Sequence, residues 1–520
     1  MNKRRVGWLV FVLWFLFVSA TQAQRTATGV VFHDINRNGV RDSQEPGIAN
    51  VLVSNQREVV RTDKQGRYRL PVEDDTILFV IKPRGWQVPL NENRLPQHYY
   101  IHKPKGSPKL RFPGVPPTGE LPASVDFALV PQRESERFTA LIFGDTQPRD
   151  LTEVGYIARD VVRELVGTKQ TQFVALLGDI LFDDLDLFAP LNRVIAQIGV
   201  PIYAVLGNHD IDFESPNDEH SDETFERVYG PPYYAYEYGR VSFIVLDDVV
   251  WSRPNPQQRG GYVAGLGEKQ LQFVQNYLRH VPRNNLVVLM MHIPLWEIPE
   301  QERKSLFEAL RPFEHTLSFS AHTHIQTHYF FQREQGWFGK RPHHHVNAVT
   351  VSGSWWTGVP DPTGIPHTTM RDGAPNGYLL VDFDGNRYTI RYKAARYPED
   401  YQMNIYAPDF VSASQLKETR VLVNVFFGSE RCRVEMRVGD SGEWIPMARV
   451  QEPDPAYAEM KKLEEQYNLP GRRLPGLMNS PHLWTANLPA NLTRGVHVLT
   501  VKVTDLFGRT WYDRRILTVR

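Results

Sequence analysis

The chain has 520 residues, enough for roughly three domains and a substantial buried core. Lys plus Arg and Asp plus Glu both number 59, and this zero formal charge argues against a dedicated binder of nucleic acid or anionic membrane. A hydrophobic fraction of 41% with 12% aromatic residues excludes a disordered chain, while 36 Gly and 38 Pro favour many short strands over long helices.

Lys3, Arg4 and Arg5 precede an apolar run at 6–18, and small residues follow at Thr21 and Ala23. That order predicts a signal peptide over residues 1–23 and an exported protein, periplasmic or extracellular. A membrane anchor is the weaker reading, because the run is shorter than the ~20 residues a spanning helix needs. Cys432 is the only cysteine, so no internal disulfide can form.

Residues 24–131 read as an N-terminal β-sandwich domain with strands at 28–32, 50–54, 66–70, 76–81 and 124–129. Six prolines between 103 and 122 predict an extended loop within it. Asp34, Asn36, Asn38, Asp42 and Glu45 occupy positions 1, 3, 5, 9 and 12 of a calcium-type loop, with Gly39 at the sharp turn and Val40 offering its carbonyl. Strands rather than helices flank the loop, which resembles the calcium loops of extracellular β-sandwich B-type repeats. A structural Ca2+ is expected here, an Asx-rich turn without metal being the alternative.

From 138 to 352 apolar strands alternate with helical periodicity, the signature of an α/β domain. Strands are predicted at 138–143, 173–177, 202–206, 241–246, 286–290 and 316–320. One helix places Val154, Ile157, Val161 and Leu165 on one face, a second spans about 185–198, and a third carries Leu271, Val274 and Leu278. His343, His344 and His345 lack acidic companions and read as an edge strand rather than a metal site. Residues 353–520 read as a C-terminal β-rich domain, with GYLLVDF and RYTIRYKA among its strands and an insertion with a short helix at 453–479.

The chemistry-bearing residues follow the apolar strands directly: GDTQ (144–147), GD (178–179), GNHD (207–210), His292 and AHTH (321–324). Strand C-termini line the crevice of such sheets, so the five clusters should converge. Asp145, Gln147, Asp179, Asn208, His292, His322 and His324 then supply mixed O and N donors, too many for one tetrahedral zinc and suited to two cations bridged by a carboxylate.

In order, these clusters resemble the motifs of the calcineurin-like metallophosphoesterases, and the flanking regions resemble a bacterial exported subgroup with β domains on both sides. The resemblance implies a four-layer α/β/β/α sandwich with a dimetal centre of Mn, Fe or Zn ions. By position, Asp145 and His324 would bind the first metal, Asp179 would bridge, and Asn208, His292 and His322 would complete the second. Gln147 stands where the family usually has His, and Ala321 replaces a usual Gly. His209 matches the histidine that stabilises or protonates the leaving oxygen, oriented by Asp183 or, second, Asp184. The expected reaction is hydrolysis of phosphate mono- or diesters by a metal-bridging hydroxide. A noncatalytic envelope or surface binding protein with a vestigial metal site is the alternative. Trp355 and Trp356 read equally as core or as a wall of the substrate pocket.

Overall fold

The computed structural model describes residues 25–168, 171–255, 257–366, 369–440 and 442–520. The expected signal peptide, residues 1–23, lies outside the described residues.

Two four-stranded sheets form the N-terminal sandwich and bury Val31, Leu70 and Phe127 of one against Val53, Leu78 and Val80 of the other. Strand Thr76–Ile81 is buried at every position. Its pleat explains this: Leu78 and Val80 face the domain's own core, whereas Phe79 and Ile81 enter the central core, Phe79 lying 5.6 Å edge-on to Phe273. The proline-rich stretch carries no strand between His102 and Phe127.

The strands of the two central sheets are numbered here in chain order: β1 Arg137–Phe143, β2 Thr171–Leu177, β3 Ile202–Val205, β4 Tyr234–Tyr238, β5 Val241–Val245, β6 Leu286–Met290, β7 His315–Ser320, β8 Thr327–Phe331, β9 His343–Asn347, β10 Gly377–Asp384 and β11 Arg387–Ala394. One sheet has the order β3-β2-β1-β10-β11 and the other β4-β5-β6-β7-β9-β8. Their inner faces meet through aromatics, including Tyr203 stacked on Tyr236 and Phe243 edge-on to Phe383. Helix Leu151–Ile157, continued by a π turn over Ala158–Val162, covers the first sheet's outer face with helix Phe188–Ile195, burying Val154, Ile157, Val161 and Leu165. Helices Gly267–Leu278 and Glu300–Leu310 cover the second sheet. The layers are therefore α/β/β/α.

Two expectations are corrected. GYLLVDF and RYTIRYKA do not join the C-terminal domain: β10 pairs antiparallel with β1, from Leu379 opposite Ile142 to Asp384 opposite Arg137, and β11 follows it. An alternating strand fits the border of any half-buried sheet, so its pattern does not report which sheet it joins. The triple-histidine segment is not an edge strand either, since β9 lies between β7 and β8. All three imidazoles are buried, with hydrogen-bond partners that make this burial tolerable.

The C-terminal sandwich packs a four-stranded sheet, with strands Met403–Tyr406, Arg420–Val425, Ala448–Pro453 and Asn479–Asn487, against a five-stranded one that includes Arg433–Val438, Gly495–Thr504 and Thr510–Val519. Helix Pro455–Gln466 interrupts it, capped by the Asp454 carboxylate, which accepts from the Tyr457 N–H. Among the described residues no helix is long and apolar enough to cross a membrane.

Candidate metal centre

Each ligand candidate sits where a parallel strand ends and the backbone bends sharply. Asp145, Gln147, Asp179, His322 and His324 all have positive φ, from +20° to +68°. Such conformations cost energy in non-glycine residues and persist where surrounding structure enforces them. At His322 and His324 the bend turns two side chains of alternating position toward one point. Close packing explains two glycines nearby. A Cβ on Gly178 would lie 2.6 Å from His292 Nδ1, and one on Gly207 would lie 1.9 Å from the Asp179 nitrogen.

The seven candidate ligands from five loops converge in a buried cluster, in which only His322 retains partial exposure. The His292 Nδ1–H donates to the Leu177 carbonyl at 2.8 Å, which directs Nε2 into the site. There Nε2 meets Asn208 Oδ1 at 3.0 Å, Asp179 Oδ1 at 3.1 Å and His322 Nδ1 at 3.1 Å. Three electron-pair donors thus surround a fourth, an arrangement that calls for positive charge between them. Burial pushes the His292 pKa down, but Asp179 and Asp145 outweigh it and lift it to about 10, so without metal Nε2 carries a proton in the place a cation would take. His324 is held similarly: its Nδ1 contacts the Gly353 carbonyl at 2.5 Å, leaving a buried Nε2 without a hydrogen-bond partner, 3.9 Å from Asp145 Oδ2. Gln147 donates through Nε2 to Asp179 Oδ2 at 2.7 Å, and its buried Oε1 has no partner. Burial lowers the His324 pKa to about 3; burial together with the neighbouring His292 lowers that of His322 to about 4. Both rings therefore keep a lone pair available. Unpartnered donor atoms and mixed O and N chemistry fit a pair of divalent cations.

His209 stands beside this cluster. Its backbone N–H donates to Asp179 Oδ1 at 2.9 Å, its Nδ1 lies 2.5 Å from Asp183 Oδ1, and its ring stacks on Phe182 at 4.5 Å. Burial opposes ring protonation, yet Asp179 and Asp183 hold the His209 pKa above its ordinary value. Asp183 therefore makes the orienting contact, whereas Asp184 precedes the turn Leu185–Leu187. Arg149 lies 4.3 Å over the Phe182 ring and donates to the Trp355 carbonyl at 2.6 Å. The tryptophan pair divides: the Trp355 ring stacks on His324 at 3.9 Å, while Trp356 is core and donates to the Thr146 carbonyl.

Sequence reasoning gave no role to two buried carboxylates that hold the loops. Asp210 accepts from the N–H groups of Ile180 and Gly207 at 3.0 Å and of Leu181 at 2.9 Å, clasping the Asp179 loop to the Asn208 loop. Asp248 Oδ1 accepts from the N–H groups of His292 and Ile293 at 3.2 and 3.1 Å. Asp210 lies one residue beyond His209, its only sequence signal. Far from the centre, Asp34 Oδ2 accepts from the Gly39 N–H at 2.9 Å, and Glu45 accepts from Ile35 and Asp42, closing the predicted calcium loop. Asn36 and Asn38 both donate to Asp42, and Val40 is exposed.

Three family models match the chain: N terminal of Calcineurin-like phosphoesterase over 35–113, Calcineurin-like phosphoesterase over 138–326, and C terminal of Calcineurin-like phosphoesterase over 345–511. Among solved structures, a purple acid phosphatase from yellow lupin (Lupinus luteus) seeds is similar at 12% identity and a TM-score of 0.35, covering 67% of this chain and 69% of that one. CopC from Methylosinus trichosporium OB3b is similar at 16% identity and a TM-score of 0.13, covering 22% of this chain and 88% of its own. No curated protein matches.

Proposed function

This chain belongs to the calcineurin-like phosphoesterases, metal-dependent hydrolases of phosphoric esters, and from that premise we propose that it is an exported enzyme hydrolysing phosphate mono- or diesters at the centre described above. Asp145, Gln147 and His324 would hold one cation, Asn208, His292 and His322 the other, with Asp179 shared between them. Manganese, iron and zinc all suit these donors. The second assignment rests on the single observation that His292 Nε2 is ringed by Asn208, Asp179 and His322 atoms within 3.1 Å. Export is supported by the basic stub and apolar run before residue 24.

When bound, two cations neutralise the phosphoryl oxygens and acidify water for in-line attack. The chain's own groups do the rest. His209, anchored through Nδ1 to Asp183, directs Nε2 toward the leaving oxygen, stabilises its charge and delivers a proton. Stacking on Phe182 fixes the plane of the ring. Trp355 forms a wall that excludes water beside His324. Gln147 contributes a neutral oxygen in place of an imidazole, which weakens the first cation's hold relative to a histidine ligand. The Asp34–Glu45 loop binds a structural Ca2+.

The test is hydrolysis of p-nitrophenyl phosphate and bis-p-nitrophenyl phosphate by Mn2+-, Fe2+- and Zn2+-loaded protein. Turnover of either ester that is lost on chelation and restored by metal is expected. Undiminished turnover in stripped protein would overturn the proposal.

A further inference from the structure

The buried histidines of β9 are wired to the metal-ligand loop. Parallel strands β7 and β9 align Ser318 with His345 and Ser320 with Asn347. The two-residue pleat then gathers Thr316, Ser318, Ser320, His343, His345 and Asn347 on one face, all of them buried. Their polar atoms form one unbranched chain. Thr316 Oγ1 lies 2.8 Å from His343 Nδ1, and His343 Nε2 lies 2.7 Å from Ser318 Oγ. Ser318 Oγ is 2.7 Å from His345 Nδ1, His345 Nε2 is 2.9 Å from Ser320 Oγ, and Ser320 Oγ is 2.8 Å from Asn347 Oδ1. Trp296, Phe307 and Trp337 cover the histidines with aromatic rings. At its far end Asn347 Nδ2 donates to Thr323 Oγ1 at 2.8 Å and to the Ile325 carbonyl at 2.7 Å. Thr323 lies between His322 and His324.

The direction of this chain follows from its last link. A carbonyl only accepts, so Ile325 fixes the Asn347 amide with Nδ2 toward the loop and Oδ1 toward Ser320. Ser320 must therefore donate to Oδ1, which obliges its oxygen to accept from His345 Nε2–H. Burial keeps both imidazoles neutral, so His345 Nδ1 accepts from Ser318, Ser318 accepts from His343 Nε2–H, and Thr316 donates to His343 Nδ1. Reversing any link strands a buried acceptor or sets two acceptors face to face.

We propose that the Thr316–His343–Ser318–His345–Ser320–Asn347 chain is a one-way hydrogen-bond relay that locks the Asn347 carboxamide and thereby positions His322 and His324 for metal. These are positioning residues, remote from substrate, and the proposal rests on the metal-centre reading above.

The test uses the full chain with 15N-labelled histidines and Mn2+ titrated into chelator-stripped protein. His343 and His345 are expected as Nε2–H tautomers. Ser320→Ala, and Thr323→Val at the loop end, are expected to weaken Mn2+ affinity by ~10-fold or more, and Ser318→Ala by less. An Nδ1–H tautomer at either histidine, or wild-type Mn2+ affinity in both Ser320→Ala and Thr323→Val, would overturn the relay. Failure of the wild type itself to bind Mn2+, Fe2+ and Zn2+ alike would instead overturn the metal-centre reading, and the positioning role with it.

Discussion

Asp210→Asn removes charge from the clasp while keeping its shape. In the wild type one carboxylate oxygen accepts from both Ile180 and Gly207, and the other accepts from Leu181. The best-placed asparagine presents its single oxygen to the first pair and turns its NH2 toward the Leu181 N–H. The Leu181 N–H and the asparagine NH2 then face each other unsatisfied and two remaining bonds lose their charge assistance, together about 1–3 kcal/mol of local stability. At about 1.4 kcal/mol per tenfold, the Ile180, Leu181 and Gly207 amides should exchange with solvent ~5- to 140-fold faster. Because these amides frame Asp179 and Asn208, metal affinity should fall by ~10- to 100-fold. Hydrogen exchange on metal-free protein and Mn2+ titration read the two effects separately. Unchanged exchange at all three amides would refute the clasp. Faster exchange with unchanged affinity would refute its link to the metal ligands.

His209→Ala should retain metal and lose ~10²-fold or more in kcat, and Asp183→Ala should lose ~10-fold through ring misorientation; metal loss in either variant would place these residues among the ligands instead. Gln147→His should slow metal release during dialysis against chelator, because imidazole is the stronger donor for a borderline-soft cation, and faster release would contradict that ranking. Ca2+ at ~100 times its dissociation constant should stabilise the full chain by ~2.7 kcal/mol, seen as a raised unfolding midpoint that Asp34→Ala abolishes. An identical midpoint with Ca2+ and with chelator would remove calcium from the N-terminal loop.

How far the sequence reaches depends on the kind of constraint. The α/β class is legible because apolar strands such as FVALL and LVVLM alternate with helical stripes such as Val154, Ile157, Val161 and Leu165, whereas the four-layer stacking follows only from the resemblance of the motifs. Polar residues abruptly following each parallel strand also mark the crevice, since chemistry of that kind has little other reason to abut a buried run. Pairing across long separations is not legible. Nothing in GYLLVDF reports that it lies against β1 some 240 residues earlier, because strand partners are chosen by the whole packed sheet. Asp210 and Asp248 escape notice for a local reason: a carboxylate collecting backbone N–H groups has the same letter as one in an ordinary turn. The triple histidine misleads because its partners, Ser318 and Ser320, sit on a different strand. Trp355 and Trp356 separate only when the positive φ of both residues sends one ring to His324 and the other into the core.

The most direct measurement is metal content of the purified chain beside its Asp179→Asn variant, taken with phosphoesterase turnover on the same samples. Two divalent ions per wild-type chain, with both the ions and the turnover falling away together in the variant, is the expected result. A variant that keeps two ions and full turnover would contradict a centre in which Asp179 bridges the pair.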